Sequence, residues 1–325
     1  MISISQSEIS CWARCPRRWL LHYYYGMSVA DPPVTSASLL GTRIHAALEG
    51  HYGYGLHPEL VLREIYADQL AKTPEFEKDL TAELDMALAM VSGYLDWVTE
   101  TGADAGLTVV ATEKDVTVPI PRVPGLSLRA RLDQVVRRDR DGALLFLDWK
   151  TSANFERHEM LRLDTQMPFY QLIQRLAAGP DGPLAIGGMI TTLRRVKRTA
   201  KSQPPYYQRD EFIYNPEEQR STYARVLQIC TEIMQARLAL DDLYKRTGGE
   251  LSEVNAHQRS ALRPVPIITD CRWSCPFADL CPMMNDGSDW PGVLMRSGRF
   301  VQSGGYAYYA EDLLGTVRDR MAKIT

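Results

Sequence analysis

Apolar positions recur at two different spacings along this chain, and the change between them divides it. In the first hundred residues the spacing is helical. Within 75–100, Leu80, Leu84, Ala87, Leu88, Val91 and Leu95 fall on one helical face. Helices are likewise predicted over 5–25, which ends in Tyr23, Tyr24, Tyr25 and Gly26, over 36–50 after the Asp31-Pro32-Pro33 link, and over 58–72. From residue 107 the pattern changes. Leu107–Val118, Leu126–Arg137 and Ala143–Trp149 are predicted as three strands, rich in Val and Leu and separated by Pro/Gly or DRDG turn signals. A helix over about 163–177, strands near 185–193 and 207–214 and a long helix over 216–246 follow. Beyond Gly248 and Gly249 come a polar stretch, a compact cysteine segment at 271–281 and a tail with a short helix predicted near 310–322. Strands in succession, then a helix, then further strands describe an α/β fold with a mixed central sheet flanked by helices. The expected divisions are a helical N-terminal region (1–106), a core with its flanking helix (107–247) and a cysteine segment with the tail (248–325).

Composition narrows the classes. A chain of 325 residues, 45% hydrophobic and 24% charged, can bury a sizeable core. Its net charge of −3 and pI near 6.1 exclude a protein that coats nucleic acid through bulk charge, so any such contact must come from local basic patches. No apolar run approaches the ~20 residues that span a bilayer, and the start MISISQSEISCWARCPRRW lacks a secretory pattern. A cytoplasmic location is the expectation. The GxxxxGK[ST] motif is missing, so there is no P-loop motor; processive work would require a helicase or recombination partner.

The chemistry-bearing residues gather around the third strand. Asp148 and Lys150 stand two apart at its end, which places both side chains on one face. Asp133 lies in the preceding strand, where an antiparallel hairpin would bring it beside Asp148, and Glu113 lies in the strand before that. Acids with a lysine make a hard, oxygen-rich site of the kind Mg²⁺ or Mn²⁺ prefers. Hydrolysis of a phosphodiester needs such a metal to bind phosphate oxygen, acidify water and offset leaving-group charge. A neighbouring lysine orients water or stabilises the transition state. An isolated D-x-K, by contrast, is usually a solvated pair.

His45 within GTRIH, Asp133, the triplet Asp148-Trp149-Lys150 and the run Gln166-Met167-Pro168-Phe169-Tyr170 occur in an order and spacing that resembles the RecB-like PD-(D/E)XK nucleases. That group includes the nuclease domains of RecB and AddB and the CRISPR-associated RecB-like exonucleases. The resemblance spans most of residues 1–281. It implies a restriction-endonuclease-like core and Mg²⁺ or Mn²⁺ held by His45, Asp133, Asp148 and the carbonyl of Trp149, with Lys150 catalytic. Glu113 matches a recurrent upstream acid, and Gln166 and Tyr170 match a helix beside the active site and DNA. Arg131 departs from the pattern, standing where the family often has glycine; turned inward it would reach phosphate.

Cys271, Cys275 and Cys281 form a C-x3-C-x5-C cluster, and Cys15 lies near the other end of the chain. Cys15, Cys275 and Cys281 each precede proline, which ends regular structure at the cysteine. Four cysteines suit zinc or an iron–sulfur cluster. Cys11, one helical turn before Cys15, is a competing ligand, and Cys230 reads as core. The one-plus-three division resembles the 4Fe–4S arrangement of AddB and the CRISPR-associated exonucleases, which implies a staple between the chain's ends. Candidate DNA contacts are Arg14, Arg17 and Arg18 around Cys15, and Arg194, Arg195, Lys197 and Arg198 followed by Tyr206 and Tyr207, since cations beside aromatics suit single strands; a solvated hairpin is the alternative for this second patch. The resulting expectation is a metal-dependent DNA exonuclease acting at single-stranded ends in recombination, repair or processing. A non-catalytic iron–sulfur DNA-binding or assembly subunit is the rival. The tail after Pro282 is expected to pack or to support self-association into a homo-oligomer.

Overall fold

A computed structural model describes residues 2–121, 123–179, 181–248 and 251–302, and among these the side chains of all but Glu113, Lys114, Asp133, Leu251, Ser252 and Ile268. The helix expected near 310–322 lies outside the described residues. The first third of the chain comprises β1 (Ile2–Ser5), α1 (Gln6–Arg14), α2 (Pro16–Trp19), β2 (Met27–Val29), α3 (Ala37–Tyr54), α4 (Pro58–Lys72) and α5 (Glu77–Thr101). The middle holds β3 (Leu107–Pro119), β4 (Leu126–Arg138), β5 (Leu144–Ser152), α6 (His158–Leu161), α7 (Gln166–Ala178), β6 (Ala185–Arg194), β7 (Tyr207–Ile213) and α8 (Pro216–Thr247). The remainder is α9 (Leu251–Ala261), α10 (Ile268–Trp273), α11 (Leu280–Asp286), α12 (Trp290–Arg296) and β8 (Phe300–Gln302). Among the described residues no helix is long and apolar enough to cross a membrane.

The helix expected over 5–25 is broken. Cys15 takes an extended conformation (φ −158°, ψ 104°) before Pro16, and its N–H closes α1 on the Cys11 carbonyl at 2.9 Å. A π-helical turn then covers Leu20–Tyr24. Ser5 caps α1 through the Glu8 N–H, and Ser36 caps α3 through the Leu39 N–H.

The chain forms two compact units, both discontinuous in sequence. The larger comprises residues 33–118 and 129–222 of the described chain. Its sheet is mixed: β5 pairs antiparallel with β4, parallel with β6, and β6 pairs antiparallel with β7. β5 therefore lies inside the sheet, with neighbours on both sides. Its side chains alternate between two environments. Leu145, Leu147 and Trp149 join Ile44, Leu48, Leu62, Val91 and Tyr94 in a core under α3–α5. Phe146 faces the other way and meets Tyr170 of α7, ring centroids 5.7 Å apart. Each fully buried aliphatic side chain here contributes about 1.5–3 kcal/mol.

The smaller unit comprises the described residues within 2–32, 119–128 and 223–302. Noncovalent contacts close its two ends on each other. β2 pairs antiparallel with β8. Glu8, buried, accepts from Trp19 Nε1 and from Arg237 of α8, both at 2.9 Å. Tyr25 Oη receives a hydrogen bond from Gln258 at 2.6 Å. The polar stretch after Gly249 is in fact helix α9, whose Val254 is fully buried and whose Asn255 accepts from the Trp290 indole.

In the larger unit, β6 carries an extra residue opposite β5: Ala185 pairs with Leu144 but Gly187 with Leu145. A Cβ on Gly187 would collide with the Phe212 carbonyl of β7. Gly187→Ala is expected to destabilise the fold by about 1–3 kcal/mol, read as a lower urea midpoint at unchanged slope. An unaltered midpoint would show that β7 yields without cost.

Candidate active site and cysteine cavity

Alternation along β5 builds the site. Trp149 points into the helical core, so Asp148 and Lys150 share the opposite face. Asp148 is 3% exposed, and its Oδ2 lies 3.6 Å from Lys150 Nζ with no hydrogen-bond partner among the described residues. A buried carboxylate oxygen without a donor is costly, and a bound cation would satisfy it. The register Gln134↔Leu147 leaves Asp133 and Asp148 as the next residues along β4 and β5. The side chains of Asp133 and Glu113 lie outside the described residues.

His45 arrives from α3. Gly41, one turn earlier, permits the approach: a Cβ there would lie 3.1 Å from Thr151 Oγ1 of β5. His45 Nε2 then faces the Trp149 carbonyl oxygen. A carboxylate, a carbonyl and an imidazole at one strand end are donors that suit a divalent cation. Among the described residues no group of three or more His, Cys, Asp or Glu side chains is placed to hold one metal ion.

Lys150 is anchored by a residue that sequence reasoning passed over. Its Nζ lies 2.6 Å from Asp164 Oδ2 and 3.2 Å from Gln166 Oε1. Asp164 Oδ1 in turn accepts the Gln166 N–H at 2.7 Å, and Gln166 Nε2 donates to Tyr170 Oη at 2.7 Å. Asp164 caps the approach to α7 and orients the lysine at once. Its place two residues before Gln166 was the available signal.

In the smaller unit, Cys15, Cys271, Cys275 and Cys281 line one cavity of about 400 Å³, with Arg18, Pro266 and Phe277. All four are free thiols. Burial pushes the Cys281 thiol up to about 11, against the opposing pull of Arg17 and with a further push from Cys15 and Cys275. Burial likewise raises Cys275, whose neighbours include Cys15 and Cys271. Cys230 is buried in α8, and burial raises both it and Cys11 to about 12.

Two of the candidate DNA contacts are corrected. Arg17 is fully buried and donates to the carbonyls of Leu262 and Cys281 and to Asn285 Oδ1 at 2.8 Å, so it braces the cysteine segment. Tyr207 is 5% exposed and donates to the Met90 carbonyl, so it belongs to the core and cannot stack on a base. The basic loop between β6 and β7 is tied to its own unit: Arg194 donates to the carbonyls of Gln203 and Pro205, Lys197 lies 3.5 Å from Asp85, and Arg198 donates to the Gly93 carbonyl. The Arg195 amide is bound to the Ser152 carbonyl, and Tyr206 is half-buried under Arg194. Arg131 reaches Asp115 Oδ1 at 3.4 Å. Arg14 remains exposed, 3.9 Å from Asp270. Sequence reasoning also missed Trp273, between Cys271 and Cys275: it is 79% exposed, with the Arg272 guanidinium 5.2 Å from its ring centroid.

Comparison with known proteins assigns the chain to a family. No curated protein sequence matches the chain. Among solved structures, one from Eubacterium rectale named "Putative exonuclease" is 13% identical, covers 73% of this chain and 82% of its own, and superposes with a TM-score of 0.46. The structure of SSO0001 is 15% identical over 58% of this chain and 84% of its own, with a TM-score of 0.29. A family model matches far more directly, over residues 3–282, and this span includes the strand face bearing Asp148 and Lys150 as well as all four cavity cysteines. The chain belongs to the PD-(D/E)XK nuclease superfamily.

Proposed function

We propose that the chain is a Mg²⁺- or Mn²⁺-dependent DNA exonuclease acting at single-stranded ends, with a 4Fe–4S cluster held by Cys15, Cys271, Cys275 and Cys281. The observation that carries the nuclease reading is the buried Asp148 carboxylate, its Oδ2 without a donor among the described residues, beside Lys150 on one face of an interior strand. Asp148, Asp133, His45 and the Trp149 carbonyl would hold the metal. When bound, it supplies Lewis-acid polarisation of the phosphate and acidifies water. One imidazole among oxygen donors suits Mn²⁺ better than Mg²⁺.

The remaining chemistry belongs to the side chains. Lys150, held by Asp164 and Gln166, offers an N–H to the attacking water or to a phosphate oxygen as negative charge develops there. Tyr170 and Gln166 fix each other and so fix the lysine's second partner. Glu113 takes the upstream acid position. Single-strand preference finds support in Trp273 with Arg272, since an exposed indole and a guanidinium suit base stacking with phosphate contact, about 1–3 kcal/mol per base.

The catalytic reading is tested by digesting linear and circular single-stranded DNA with and without Mn²⁺. The wild type is expected to degrade the linear form, spare the circle and stop on chelation. Asp148→Ala and Lys150→Ala should each lower the rate by about 10²–10³-fold or more at unchanged melting temperature. Full cleavage by the Lys150→Ala protein would remove that residue from catalysis, and an inactive wild type would favour a DNA-binding subunit.

For the cluster, the cavity shared by four cysteines supports the reading. Cys15 and Cys271 are 256 positions apart, and closing a ring that long restricts the unfolded chain by roughly 5 kcal/mol in the loop-entropy treatment. Protein purified anaerobically is expected to be brown, with about four irons per chain. Cys15→Ala, Cys275→Ala and Cys281→Ala should lose colour and melt early, while Cys11→Ala and Cys230→Ala keep the iron. One zinc per colourless chain would replace the cofactor.

A further inference from the structure

The face of β5 opposite the site carries a closed hydrogen-bond network, and we propose that Tyr94 and Arg209 are positioning residues for the metal site, acting through the indole of Trp149. This rests on the reading of Asp148, His45 and the Trp149 carbonyl as metal ligands. Trp149 is 2% exposed. Its Nε1 donates to Tyr94 Oη at 3.1 Å, and its ring stacks on Tyr52 with centroids 5.2 Å apart and planes at 25°. Arg209 Nη2 donates to the same Tyr94 oxygen at 3.2 Å. With both acceptor positions used, the Tyr94 proton is directed to Tyr52 Oη at 2.8 Å, and the Tyr52 proton to Asp104 Oδ2 at 2.6 Å.

Arg209 closes the loop. It donates to Asp104 Oδ1 and to the Ala103 carbonyl, both at 2.7 Å, and to Thr191 Oγ1 at 2.8 Å. Thr191 pairs with Trp149 in β5–β6 and with Arg209 in β6–β7, so the three residues stand side by side across three strands. Each proton in this chain has one destination, which gives the network a single arrangement.

The position of Trp149 in the triplet makes that arrangement matter. Successive residues of a strand point to opposite faces, so any roll of residue 149 about the strand axis turns Asp148 and Lys150 as well, and swings the 149 carbonyl off His45. Stacking on Tyr52 prevents the ring from sliding, and the bond to Tyr94 prevents it from turning. Groups one shell behind metal ligands typically set affinity by about 10–100-fold.

The test is Mn²⁺ binding by titration calorimetry, alongside melting temperature, for the wild type, Tyr94→Phe, Trp149→Phe, the double variant and Asp148→Ala. Tyr94→Phe keeps the ring and removes only the hydroxyl, and Trp149→Phe keeps the backbone carbonyl and removes the other end of the same bond. Each is expected to weaken Mn²⁺ binding by about 10–100-fold, with the double variant little worse than either alone, as for residues acting through one contact. Mn²⁺ affinity within twofold of wild type in both single variants, whatever their melting temperatures, would reduce the network to a packing role and overturn the proposal. Wild-type protein that binds no Mn²⁺, or Asp148→Ala that binds it normally, would instead overturn the metal-site reading and the proposal with it.

Discussion

A β-strand shows alternate side chains to opposite faces, and in β5 that constraint organises the larger unit. Because Leu145, Leu147 and Trp149 are committed to the core beneath α3–α5, Asp148 and Lys150 have no choice of face. The hydrophobic effect that fixes the register thereby places the charges, and a slip of one residue would bury Lys150 in the core and expose Trp149. Pairing on both sides makes such a slip expensive, since it would break ladders to β4 and β6 together. The geometry of the candidate site is in this sense a by-product of core formation, with Asp164 bonded to Lys150 on one face and Tyr94 to Trp149 on the other.

The smaller unit rests on a different constraint: its segments are separated by nearly the whole chain and must be held together. β2–β8 pairing, the Glu8–Arg237 ion pair over Trp19 and the Arg17 brace to Cys281 all join them. Charges buried at Glu8 and Arg17 are costly to leave without these partners, which ties the order of α1 and α2 to that of α8 and α11. The extended conformation that Pro16 imposes on Cys15 ends α1 where the cysteine cavity begins.

Much of this was legible in the sequence where a strong period or a strong local rule operates. α4 spans the predicted 58–72, and β3 to β7 and α8 fall within a few residues of their expected bounds, because apolar repeats and Gly/Pro punctuation act locally. Alternation put Asp148 and Lys150 on one face, while their reading as a site came from the resemblance. What failed depends on tertiary burial. Tyr207 beside a basic run and Arg17 beside Cys15 have the composition of DNA contacts, yet both are buried and donate to groups inside the fold. α9 has too few apolar positions to announce itself, and its burial of Val254 arises only from its neighbours. Asp164 lies outside the motif residues, its only sequence signal being its place two before Gln166, and its contact with Lys150 comes from the fold.

The central claim is that β5 delivers a cation site at Asp148, the Trp149 carbonyl and His45. Anomalous diffraction from crystals soaked in Mn²⁺ tests it most directly. The account predicts one strong peak in bonding contact with the Asp148 carboxylate, the Trp149 carbonyl oxygen and the His45 imidazole. A peak elsewhere with these three groups vacant, or one that persists at full strength in Asp148→Ala crystals, would contradict it.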